Sequence, residues 1–215
     1  MIVARFAAVD QVQVDAALTE AEGVRHQRLR FASDRNAYRA AHLLVRACAG
    51  ELLGVAPRLV RVEQACLRCG KPGHGRPSIV GEPGITVSLS HTRGFVAAVA
   101  ATVGCGIDVE AVATAIPRTA VTTRERAWLD ARPDPLRAFT QLWVRKEAVV
   151  KAGVADDPAS IDVLADDAVP GPAGRFGEFT LTGWSGPVDA LGHPVALGCV
   201  AVRTASAVAE FDALL

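Results

Sequence analysis

The stretch from 85 to 109, ITVSLSHTRGFVAAVAATVGCGIDV, constrains the fold of this chain more than any other. Three short apolar runs, 85–89, 95–101 and 106–109, are separated by turn residues, which is the pattern of a sheet meander. The uncharged run inside it, 94–107, is too short and too broken by glycine to span a bilayer, and its valines suit buried strands.

The flanking sequence adds helices on both sides. Residues 14–29 read as a helix whose charged face carries Glu20, Glu22, Arg25 and Arg28. A second helix starts at a Ser33 or Asp34 cap, repeats apolar residues at Ala37, Ala41, Leu44, Val45, Cys48 and Leu52, and stops at Gly54 and Pro57. Further helices are expected over 123–129 and 136–152, and strands over 1–9 (an edge), 59–62, 176–184 and 195–202. The Gly/Pro-rich segment 70–84 reads as a loop. Strands and helices alternate through both parts of the chain without a sequence repeat, so the expected class is α+β with largely antiparallel sheets.

With 215 residues the chain can bury a substantial core, and 23 basic residues balance 23 acidic ones. That balance excludes a bulk polyanion binder, so no nucleic-acid partner is expected and any phosphate site must be local. Five scattered cysteines do not make a secreted disulfide framework, and Arg5 and Asp10 interrupt what would be a signal core. The expectation is a cytoplasmic protein with no membrane segment. Only three of the basic residues are lysines, and two of them, Lys146 and Lys151, share one short segment.

Three segments carry chemistry. In GIDVE (106–110) the carboxylates of Asp108 and Glu110 lie two apart on a strand and so share a face. Such a pair repels itself unless a cation intervenes, and magnesium, which takes hard oxygen ligands together with substrate phosphates, is the natural one. Read alone, the same pair fits the solvated end of a strand better than a metal site. In WVRKEAVVK (143–151), Trp143, Glu147 and Lys151 recur every four residues and form one helical stripe, which in isolation is an ordinary surface ion pair. In SLSHT (88–92), Ser90 and His91 suit phosphate contact or a plain polar turn. Arg39 and Arg46, seven apart, lie on one helix face, either as a phosphate-binding stripe or as a solvated one.

In order and spacing these motifs resemble 4′-phosphopantetheinyl transferases of the surfactin-synthetase-activating type. The resemblance runs from about Arg30 to Gly153 through RFASDRNAYRAAHLLVR, GRP (75–77) with SLSH, GIDVE, TRERAWL and WVRKEAVVK. It implies two similar α/β halves, 1–104 and 105–215, in a pseudo-twofold arrangement with coenzyme A in the cleft between them, packed as a monomer. It also implies transfer of the phosphopantetheine arm of coenzyme A to a serine of an apo acyl or peptidyl carrier protein. Carried over by motif, Asp108, Glu110 and Glu147 would hold Mg²⁺, with Glu147 also accepting the serine proton. Lys151 would assist the leaving 3′,5′-ADP, and Lys146 and Glu125 would support the catalytic site. Arg39, Arg76, Ser90 and His91 would contact coenzyme A, His91 at its 3′-phosphate. The family often has lysine where Arg76 stands, and a small hydroxyl residue where Val144 stands.

Two other readings compete. Cys66, Cys69 and His74 begin like a zinc knuckle, but 75–79 supply no fourth ligand. Ser90 is conceivable as a hydrolase nucleophile, but no GxSxG elbow surrounds it and a neighbouring histidine seldom serves as base.

Overall fold

The computed structural model describes residues 1–65, 72–164 and 173–204. Cys66, Cys69 and Lys71 lie outside the described residues. The elements are β1 (Ile2–Ala8), α1 (Glu20–Arg28), α2 (Ala32–Leu53), β2 (Val62–Ala65), β3 (Pro72–Ile79), β4 (Thr86–Thr92), β5 (Phe95–Ala101) and β6 (Cys105–Ala111). They continue with α3 (Thr123–Asp130), α4 (Pro135–Lys151), β7 (Ala173–Phe176), β8 (Phe179–Ser185) and β9 (Ala196–Arg203). This is an α+β fold with two sheets, ordered β1-β5-β4-β3-β2 and β6-β9-β8-β7, in which every pairing is antiparallel. One connectivity appears twice. A first strand is followed by a long helix and then by a run of adjacent strands, the last of which pairs with the first.

Strand alternation distributes the core into layers. On β5, Val96, Ala98 and Ala100 face α2 beside Leu44, Val45 and Cys48, while Ala97, Val99 and Ala101 turn to the second sheet. There they meet Ile107, Val109, Val200 and Val202. The alternate residues of β9, Cys199 and Ala201, pack against Val144, Ala148 and Val149 of α4. The order is therefore helix, sheet, sheet, helix, and β5 is apolar on both faces because both are covered. Small residues let the layers close. A Cβ on Gly198 would collide with the Phe6 ring, which stacks on Trp184 at 4.9 Å.

Several boundaries differ from the sequence expectation. The first helix begins at Glu20 rather than 14, because Thr19 and Glu22 form a reciprocal capping box: Thr19 Oγ1 accepts from Glu22 N at 3.3 Å and Thr19 N donates to Glu22 Oε2 at 2.7 Å. The second helix starts at Ala32 with no side-chain cap, and Asp34 sits in its first turn, where a negative charge suits the helix dipole. The 59–62 strand moves to β2, after a 3-10 turn at Pro57–Leu59. The expected loop at 70–84 contains β3, and the third run of the meander, β6, opens the second sheet instead of extending the first. The 176–184 strand is a hairpin, β7 and β8. Among the described residues no helix is long and apolar enough to cross a membrane.

Candidate active site

The hydroxyl residues of SLSHT lie two apart, and together they form the seam between the sheets. Ser88 Oγ accepts from Ile107 N at 3.3 Å, Ser90 Oγ donates to Asp108 Oδ1 at 2.6 Å, and Thr92 Oγ1 accepts from Ala111 N at 3.2 Å. Period two places all three on the face of β4 that meets β6 and sends His91 to the other face. Ser90 and His91 are thus not a nucleophile–base pair, which removes the hydrolase reading. The alternating S-x-S-x-T pattern, rather than the SH pair, is the sequence signal for this seam.

Gly106 brings the third element in. A Cβ there would lie 2.5 Å from Ala152 N and closer still to Ala148 O, so the backbone of α4 rests directly on β6. The last turn of α4 then delivers Lys151, whose Nζ donates to Asp108 Oδ1 at 2.5 Å and to Ser90 Oγ at 3.0 Å. Asp108 is 1% exposed, and its Oδ2 is buried without a hydrogen-bond partner. Glu110 and Glu147 are half-buried and close enough to feel that charge. Burial first, then the Asp108 carboxylate and, more weakly, Glu147, push Glu110 up to about 7, against a Thr92 hydrogen bond and the Lys151 ammonium. Burial and Asp108 likewise raise Glu147; Lys151 opposes them and Asp157 adds to them.

Three carboxylates therefore share one ammonium, and burial together with the Asp108 charge raises the proton affinity of Glu110 and Glu147. A divalent cation fits this donor set: the ligands are hard oxygens, and Asp108 Oδ2 offers a buried lone pair with no partner. Among the described residues no group of three or more His, Cys, Asp and Glu side chains is placed to hold a metal ion. Magnesium does not need one, since it is usually held by one or two carboxylates, waters and substrate phosphates.

The other expected site residues separate into groups. His91 is exposed on β4, its ring 6.3 Å from that of Tyr38. Reduced solvation, then the charges of His42 and Lys151, lower its pKa; Asp34 opposes them and Arg25 adds to them. Arg39 is exposed on α2, but Arg46 is 2% exposed and bound to Glu22 at 2.7 Å, so the expected arginine stripe does not exist. Arg76 reaches across to the end of α4, where Nη2 donates to Ala152 O at 3.2 Å. Glu125 and Lys146 are 0% exposed and pair with each other at 2.5 Å. Glu125 also accepts from Thr122 N and Val163 N, and Lys146 donates to Ala120 O. Sealed in this way, the pair binds α3 and the 161–164 segment to α4.

Sequence reasoning missed a buried network in the first half. Glu22 takes hydrogen bonds from His42 Nδ1 at 2.8 Å, from Arg46 and from Thr19 N. The His42 ring lies 4.1 Å from that of Tyr38, tilted by 35°, and Tyr38 is the neighbour of His91. The T-x-x-E capping signature at Thr19 was the available sign of it.

Residues 104–196 match the family model described as the 4'-phosphopantetheinyl transferase superfamily. The matched segment contains Asp108, Glu110, Glu125, Lys146, Glu147 and Lys151, while Arg39, Arg76, Ser90 and His91 precede it. The matched segment makes up less than half of the chain. No curated protein matches the chain.

Proposed function

We propose that this protein is a magnesium-dependent 4′-phosphopantetheinyl transferase of the surfactin-synthetase-activating type. The single observation that carries the reading is the convergence of Ser90, Asp108 and Lys151, from β4, β6 and α4, with half-buried Glu110 and Glu147 alongside. The halves 1–104 and 105–215 would hold coenzyme A between them, in a monomer acting in the cytoplasm. In the reaction a carrier-protein serine Oγ forms a bond to the β-phosphorus of coenzyme A, the pyrophosphate P–O bond breaks, and 3′,5′-ADP departs.

Asp108, Glu110 and Glu147 would hold Mg²⁺, which when bound supplies positive charge to the pyrophosphate. Glu147 takes the serine proton. Lys151 holds its ammonium, through Asp108 and Ser90, where charge develops on the leaving oxygen. His91 and Arg39 contact coenzyme A phosphates, and Ser90 orients both Asp108 and the ligand. Glu125 and Lys146 act through the position of α4.

The test is incubation with coenzyme A, Mg²⁺ and apo carrier proteins from fatty-acid, polyketide and peptide pathways, with carrier mass as readout. One or more carriers should gain the phosphopantetheine arm, and Asp108→Ala and Glu147→Ala should each abolish the gain. No gain on any carrier, or wild-type rates in both variants, would overturn the reading.

A further inference from the structure

Arg76 belongs to the first sheet, yet its side chain leaves that sheet. Nη2 donates to Ala152 O at 3.2 Å and to Cys105 O at 3.5 Å. The first acceptor is the residue that ends α4, and the second is the first residue of β6. Beneath the guanidinium lies Gly153, with φ +88°, where an added Cβ would sit 2.6 Å from Nη1. The notch is thus made of backbone alone: the final carbonyl of a helix, the opening carbonyl of a strand and a residue without a side chain. A cation at a helix C-terminus is favoured by the dipole there, and the planar Nη2 amino group reaches both carbonyls at once.

We propose that Arg76 is a positioning residue, a clamp from the first sheet that fixes the last turn of α4 and with it the Lys151 ammonium against Asp108 and Ser90. Lys151 immediately precedes the clamped carbonyl, so a shift of that turn moves the ammonium directly. This replaces the phosphate contact expected of Arg76. The clamp stands on geometry alone, while its effect on catalysis rests on the transferase reading above.

Hydrogen–deuterium exchange on the full chain, without ligand, tests the clamp. In Arg76→Ala the amides of Ala152, Gly153 and Val154 should exchange roughly 5- to 10-fold faster, with those of 140–147 unchanged and Arg76→Lys intermediate. Unchanged exchange in the last turn would overturn the proposal. In transfer assays Arg76→Ala should lower kcat about tenfold while KM for coenzyme A moves less than about threefold. Raised KM with kcat intact would make Arg76 a phosphate ligand instead. If the wild-type chain transfers nothing while the exchange changes as stated, the clamp holds and the transferase reading fails.

Discussion

Glu22 shows how much one side chain of this protein holds together. Burial alone would raise its pKa, but hydrogen bonds from His42, from the Thr19 backbone and from Arg46 outweigh that and bring it down to about 2. A carboxyl whose folded pKa lies below its unfolded value of 4.5 contributes stability that is complete above that value and is lost as pH falls through about 2. The contribution at neutral pH is on the order of 3 kcal/mol. Glu22→Gln should therefore cost a few kcal/mol in urea unfolding at about pH 7, and the gap from wild type should shrink toward zero near about pH 2; a gap independent of pH would refute the linkage. At this scale the sequence was partly legible. Asp108, Glu147 and Lys151 are legible because strand period two and helix period four are local rules. Arg46 was misread because its partner stands 24 residues away, and no local spacing announces that pair.

Elements meet through polar pairs whose burial decides their worth. Lys146 and Glu125 are sealed from solvent, so removing one partner leaves an unpaired charge in the core, which typically costs about 3–5 kcal/mol. Lys146→Met should destabilise the protein by about that amount in chemical denaturation. A stable but inactive Lys146→Met would instead place the ammonium in contact with substrate. The α4 helix itself was legible, with its bounds predicted at 136–152 and found at Pro135–Lys151, because its apolar residues recur at helical spacing whatever covers them. By contrast, β3 was not: PGHGRPSI has no alternation, and it is a strand because β2 and β4 flank it. Nor could alternation say that β6 leaves the first sheet, since a strand facing a new sheet has the same period as one extending the old.

At the scale of the whole molecule the two sheets share one core layer, to which Phe6, Ala97 and Val99 contribute from one side and Ile107, Val109 and Val200 from the other. Neither half closes its apolar surface alone, so unfolding should be a single event. The three tryptophans, Trp128, Trp143 and Trp184, all lie in the second half, whereas far-ultraviolet circular dichroism reports on both. The two signals should trace one coincident urea transition, and a dichroism change that precedes or follows the fluorescence change would show separable halves. The repeated connectivity was expected from the family resemblance alone, because the halves share a path of the chain rather than residues. The seam of Ser88, Ser90 and Thr92 has a further consequence at this scale. β6 is an edge of the second sheet, and an edge with open amide groups is a template for another chain. Two of its outward amides, Ile107 and Ala111, are closed by hydroxyls of β4. The residues that assemble the candidate active site therefore also protect the protein from pairing with its own copies, and weakening the seam exposes a surface prone to self-association before it dissolves the fold.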